Sequence, residues 1–238
     1  MNYLVFAPKR SGHHAVINWL GYRVADFVTH INNIHEVGNG LVIEPEGQTV
    51  QYSNESTEIR GIPSQAVVLS FENPTPERVA LWFTHLAAVE KTTRLICVIR
   101  DVRNLIASCL RFEESHKKAT ILLPALEAWR YVAESVVCPL RSEVCATGTI
   151  LFDYWFADFN YRSAICESLG VVCDDRGLNE VTKFGGGSSF SQRETDGSAQ
   201  LMRDVLKRYK KYEGSRRYEE AYVEHRELNE KMIGKLWR

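Results

Sequence analysis

Four short apolar runs punctuate the 238-residue chain: YLVFA at 3–7, AVVLSF at 66–71, RLICVIR at 94–100 and TILFDY at 149–154. Each is too short for a stable helix and too continuously apolar at its centre for a strand with one wet face, so they read as buried strands of a parallel sheet. Between them the period changes. Val16, Leu20, Val24 and Phe27 recur at helical spacing and predict a helix over 15–28. Pro74 and Pro76, with Glu77 in the first turn, introduce a second over 76–90. Further helices are predicted over 102–113, over 120–138 with Leu123, Leu126, Trp129 and Val132, and over Tyr161–Leu169. One or two charged helices fill the C-terminal segment 195–238. Strands alternating with helices imply βαβ units, hence an α/β fold with a central, mostly parallel sheet flanked by helices.

Residues 31–62 break this rhythm. Gly38, Gly40, Pro45, Gly47 and Asn54 separate small β-like pieces, LVIE and TVQY, which suggests a loop or hairpin insertion near the site. No repeat, linker or low-complexity tract divides the chain, and its length suits one well-buried domain over 1–238.

Charge changes this picture little. The net formal charge is −1, which speaks against nucleic-acid binding driven by overall charge. From Arg203 onward, 11 Lys/Arg face 7 Asp/Glu, a basic excess that either steers an anion or forms a solvated helical face. The six cysteines include no C-x-x-C pair, and Cys97 and Cys109 sit inside apolar segments, as buried thiols do. No apolar leader precedes the first strand and no apolar run is long enough to span a bilayer. The expectation is a cytoplasmic chain with reduced thiols, no membrane insertion and no metal.

The chemistry gathers where strands end. After the first strand, PKRSGHH combines Lys9 and Arg10 with a Ser–Gly turn at a helix start. Backbone N–H groups there converge on one point and the helix dipole favours an anion. This is not a Walker A loop, which needs two glycines and a Lys-Ser/Thr pair. Adjacent residues on a helix point in different directions, so the tandem His13-His14 reads as a pair of phosphate donors and not as metal ligands. A second anion candidate follows the strand LICVI, with Arg100 at its end and Ser108 eight residues on. Arg100 also suits a strand-end ion pair with Asp101 or Asp153, and Ser108 could bond back to a helix carbonyl.

PKRSG after the first strand, followed by VIRDVRNLIASCLRF with Phe112 four residues beyond Ser108, resembles the sulfotransferases that use 3′-phosphoadenosine 5′-phosphosulfate. ILFDYWFADFNYRSAICESLGV and FGGGSSF fall where that family has a strand, an acidic-aromatic segment, a helix ending L-G-V and a late Gly/Ser-rich loop. The likeness runs from Leu4 to about Phe190. It implies a P-loop-like sulfotransferase architecture, sulfonate transfer from that nucleotide to a hydroxyl or amine, and a small-molecule or glycan acceptor. Lys9, Arg10, Ser11, Gly12, His13 and His14 would hold the 5′-phosphosulfate, with histidines where threonines usually stand. Arg100 and Ser108 would hold the 3′-phosphate. Phe152 would face the adenine, and Gly186, Gly187, Ser188 and Ser189 would close over the nucleotide, with Lys183 or Arg193 as charge partners.

The one-residue insertion in PKRSG leaves either Lys9 or Arg10 as the cation that stabilises the transferring group, Arg10 being the aligned one. A base must take the acceptor proton. Glu72, just past the strand LSF, is the candidate, with His30, His35 and His85 as rivals; a surface or N-cap carboxylate before Pro74 is the plain alternative. A non-catalytic nucleotide-binding module of the same fold, or a P-loop-type kinase, remain the competing functions.

Overall fold

Along the first strand the side chains alternate between two cores. Tyr3, Val5 and Ala7 face one, while Leu4 and Phe6 face the other, and all five are buried. In the computed structural model, residues 2–24, 27–31, 34–37, 40–43, 49–53, 65–80, 93–117, 120–139, 148–178 and 204–236 are described.

The strands are β1 (Asn2–Ala7), β2 (Phe27–Ile31), β3 (Ile34–Val37), β4 (Gly40–Ile43), β5 (Thr49–Ser53), β6 (Gln65–Glu72), β7 (Thr93–Ile99) and β8 (Thr149–Leu151). The helices are α1 (His13–Val24), α2 (Val102–Ser115), α3 (Leu122–Val137), α4 (Phe152–Ala157), α5 (Phe159–Leu169) and α6 (Arg216–Leu236). A helical turn at 76–80 and a 3₁₀ turn at Arg208–Lys211 complete the described elements.

The main sheet has the order β5-β2-β6-β1-β7-β8. Five of its strands, β2 through β8 in that order, are mutually parallel, and β5 runs antiparallel on the edge beside β2. On one face α2, α3 and α6 cover Leu4, Phe6, Leu95, Cys97 and Ile99. On the other, α1, α4 and α5 cover Val5, Ala7, Ile96 and Val98. Trp129 belongs to the first core and Trp19 and Trp155 to the second, all fully buried. The strands pass from β1 toward β2 in one direction and from β7 toward β8 in the other. The order reverses between β1 and β7, and the crevice beyond the carboxyl ends of such strands is the favoured ligand site in open α/β sheets.

Two elements differ from the pattern-based expectation. The first helix spans 13–24, and Phe27 opens β2, which sits between β5 and β6. Its helical spacing is accidental: FVTHI is β-branched and aromatic, and tertiary pairing decides it. In TILFDY only Thr149–Leu151 is strand; the chain turns into α4 at Phe152. The irregular region supplies an antiparallel β3–β4 pair, together with β5 on the main sheet. In the charged C-terminal segment α6 is one long helix. The second predicted helix is described only at 76–80.

Candidate anion site at the switch point

Four strand ends deliver the site. Lys9 and Arg10 follow β1, Glu72 closes β6, Arg100 follows β7, and Phe152 and Asp153 follow β8. The β1 and β6 ends are latched together: Lys9 N donates to Asn73 Oδ1 at 2.7 Å and Asn73 N donates to the Ala7 carbonyl at 2.9 Å. The turn itself is tight. Arg10 and Asn73 take left-handed φ values of 69° and 55°, and Gly12 has φ 86°. For Arg10 this is strained backbone, the kind that persists where surrounding contacts over-determine it.

The strained turn sends its two cations to different places. Lys9 Nζ lies 3.5 Å from Glu72 Oε2. Arg10 Nε donates to Ser108 Oγ at 3.3 Å, and its guanidinium lies over the Phe112 ring at 5.2 Å. The structure therefore brings Lys9, Arg10, Glu72 and Ser108 to one end of the sheet. It brings Arg100 there too, but in a buried setting. The Arg100 guanidinium is 2% exposed, donates to the Val205 carbonyl at 2.5 Å, and lies 3.8 Å from Asp153 Oδ1 and 4.9 Å over the Phe152 ring. The ion pair with Asp153 is present as one of the two readings of Arg100. Trp129 Nε1 donates to the Arg100 carbonyl at 2.8 Å and so fixes its peptide.

Phe152 is also buried. A Cβ added to Gly12 would stand 2.5 Å from its Cε2, so the ring packs directly beneath the turn. Gly186, Gly187, Ser188 and Ser189, with Lys183, Arg193 and His85, lie outside the described residues. His35 is on β3, of which only the backbone is described.

Asp101 is occupied elsewhere. It N-caps α2 by accepting from Arg103 N at 2.9 Å, and the Arg103 guanidinium grips it at 2.6 Å. Its amide donates to Asp153 Oδ2 at 2.6 Å, and Asn104 Nδ2 donates to Asp153 Oδ1 at 3.1 Å. Burial pushes the Asp153 carboxyl up, opposed by Arg100.

A third guanidinium, Arg208, was hidden by composition. It is buried on the 3₁₀ turn, and its pKa is pushed well down by burial, then by Arg100 and Arg10, with Asp153 opposing. Within a basic run of ordinary appearance, its sequence signal is the apolar pair Val205-Leu206 just ahead. The carbonyls of that pair accept from Arg100 and Asn104 and tie the segment to the site. Among the described residues, Lys9, Arg10, Arg100 and Arg208 thus gather around Glu72 and Asp153, while Asp101 is held by Arg103. The site carries a positive excess in a low-dielectric setting.

The two histidines of the turn adopt a geometry that helical spacing alone does not suggest. As the first two residues of α1, their rings sit with centroids 4.0 Å apart. His13 is 2% exposed, its Nδ1 is 3.5 Å from Ser11 Oγ, and its Nε2 is 3.7 Å from Glu72 Oε1. His30 stands behind them, ring centroid 5.9 Å from that of His14, with Nε2 2.9 Å from Ser70 Oγ. Burial pushes all three imidazoles down to about 3, so they are neutral near pH 7.

No protein-family model matches the chain, and no curated protein or solved structure shows significant similarity to it. No described helix is long and apolar enough to cross a membrane.

Proposed function

We propose that the chain is a sulfotransferase of P-loop-like architecture that moves a sulfonate group from 3′-phosphoadenosine 5′-phosphosulfate to a hydroxyl or amine of a small molecule or glycan. The observation that carries this reading is the meeting of Arg10 with Ser108, beside Arg100 and Arg208, at the switch point of a parallel sheet. A buried positive excess there favours a ligand with several negative charges, and a bisphosphorylated nucleotide supplies them.

In this reading the divergence of Lys9 and Arg10 divides the work. Lys9, beside Glu72, neutralises the phosphate that leaves when the S–O bond to the donor breaks. Arg10, beside Ser108, holds the 3′-phosphate together with Arg100, whose guanidinium has to turn from the Val205 carbonyl to reach it. Glu72 takes the proton from the acceptor as its oxygen or nitrogen bonds to sulfur. The rest is positioning and charge stabilisation, as in in-line phosphoryl transfer. The Glu72–Lys9 ion pair also favours a second reading, a nucleotide-binding module without turnover, because a carboxylate held by an ammonium is occupied where an acceptor proton would have to meet it.

Calorimetry with 3′-phosphoadenosine 5′-phosphate against AMP and ATP tests the donor class. The bisphosphate is expected to bind at least tenfold more tightly than AMP, and Arg100→Ala to abolish that preference. Equal affinity for AMP would overturn the assignment. Glu72→Gln is expected to keep nucleotide affinity and remove transfer; an unchanged rate would eliminate Glu72 as base.

A further inference from the structure

Ser11, His13, His14 and Glu72 hold an arrangement that anion binding does not account for. One ligand atom from each of His13, His14 and Glu72 lies within 4.8 Å of the others, with His13 buried and the other two half-buried. His13 Nε2 is buried, makes no hydrogen bond, and points toward a carboxylate oxygen 3.7 Å away. With the proton on Nδ1, toward Ser11 Oγ, the Nε2 lone pair faces an acceptor. Two acceptors facing each other repel unless a proton or a metal ion lies between them.

We propose that His13, His14 and Glu72 form a binding site for a zinc-type divalent cation. Two imidazole nitrogens and one carboxylate oxygen are a donor set suited to Zn²⁺, and three protein ligands leave a fourth position open to water or ligand. Two donors about 2.1 Å from a tetrahedral ion stand about 3.4 Å apart, close to the His13–Glu72 separation. Ser11 orients the imidazole through its far nitrogen, as outer partners of metal-ligating histidines do.

The charges facing the site are Lys9, 3.5 Å from Glu72 Oε2, and Arg10, whose guanidinium is turned toward Ser108. Lys9 is 41% exposed and can leave Glu72 for solvent, so the cation and the Lys9 ammonium compete for one carboxylate. The site does not depend on the sulfotransferase reading. If both hold, a bound ion occupies the proposed base and Zn²⁺ inhibits transfer.

Titration of the full chain with Zn²⁺ alone, followed by calorimetry, tests the proposal, with the visible spectrum of the Co²⁺-loaded chain reporting the ligand type. One equivalent is expected to bind, with a Co²⁺ spectrum of nitrogen and oxygen ligation and no thiolate charge-transfer band. His13→Ala and Glu72→Gln are each expected to weaken Zn²⁺ affinity tenfold or more, and Lys9→Met to strengthen it. If His13→Ala fails to fold, His14→Gln and Glu72→Gln carry the test. Absence of saturable binding, unchanged affinity in the folded variants, or a thiolate spectrum would overturn it. Nucleotide calorimetry on the metal-free chain is a separate readout, so the failure of either idea is distinguishable from failure of the other.

Discussion

Arg10 Nε donates to Ser108 Oγ across 98 positions of sequence, joining the loop after β1 to the second turn of α2. The bond requires Arg10 to hold a left-handed backbone, φ 69°. A side chain costs about 1–2 kcal/mol in that region and glycine nearly nothing. Arg10→Gly and Arg10→Ala both lose the guanidinium, so the difference between them isolates the backbone. Arg10→Gly is expected to be the more stable by about 1 kcal/mol in urea denaturation. Equal stabilities would mean that the turn relaxes at no cost.

Gly12 is under a different constraint. Its φ is 86°, and an added Cβ would stand 2.5 Å from Phe152 Cε2, a ring held by the surrounding core. Gly12→Ala is expected to cost at least about 2 kcal/mol. In a Phe152→Ala background the extra cost should fall by about 1 kcal/mol. A double-mutant cycle of urea midpoints with no coupling would separate the two residues.

The cationic cluster should respond to anions as a whole. A ligand at one hundred times its dissociation constant stabilises by about 2.7 kcal/mol. Arg208→Met removes a buried charge that Arg100 and Arg10 oppose. The free chain should therefore melt at a higher temperature, while the gain from 3′-phosphoadenosine 5′-phosphate shrinks. A variant that melts lower when free and keeps the full ligand-induced gain would contradict this.

Alkaline pH should destabilise the chain. Burial pushes the Cys109 thiol up to about 12 from 9.0 and raises the hydroxyls of Tyr3, Tyr161, Tyr212 and Tyr218 above 10.0. A raised acid holds its proton in the folded state after the unfolded chain has lost it, so stability falls as pH rises from about 9 onward. Urea midpoints at pH 7.5 and pH 10.5 should show the drop, and Cys109→Ala should flatten its first part.

Asn229 tests how far the last helix supports the site. Its Oδ1 accepts from Val102 N at 3.0 Å, at the first residue of α2. Asn229→Ala leaves a buried amide without that acceptor and is expected to cost about 1–3 kcal/mol. A change within 0.5 kcal/mol, about the size of an ordinary surface substitution, would show that the helix start is satisfied otherwise.

Much of the sheet was readable because β1 and β7 are buried on both faces along their centres, and β6 nearly so, and all three are therefore nearly all apolar. β2 was not, since FVTHI continues the helical spacing of the residues before it and owes its strand form to β5 and β6. Lys9, Arg10, Glu72 and Arg100 were legible as residues at strand ends, where a parallel sheet collects its chemistry, and Ser108 by its spacing of eight residues from Arg100. Their partners were not. That Arg100 is covered by the Val205 carbonyl, or that Arg208 enters the cluster, follows from a chain that returns to the site after a long excursion. The pairing of His13 with His14 was missed for a local reason: divergence at helical spacing describes a helix interior, and these two residues open α1.

The hydrogen bond from Val102 to Asn229 spans 127 positions. A chain emerging from the ribosome can assemble β1, β6 and β7 long before residue 229 exists, yet the first turn of α2 lacks this acceptor until then. Shortened forms that end before α6 would thus retain the strands of the framework while leaving the start of α2 unfinished. The order of synthesis makes the start of α2 wait for one of the final turns of the chain.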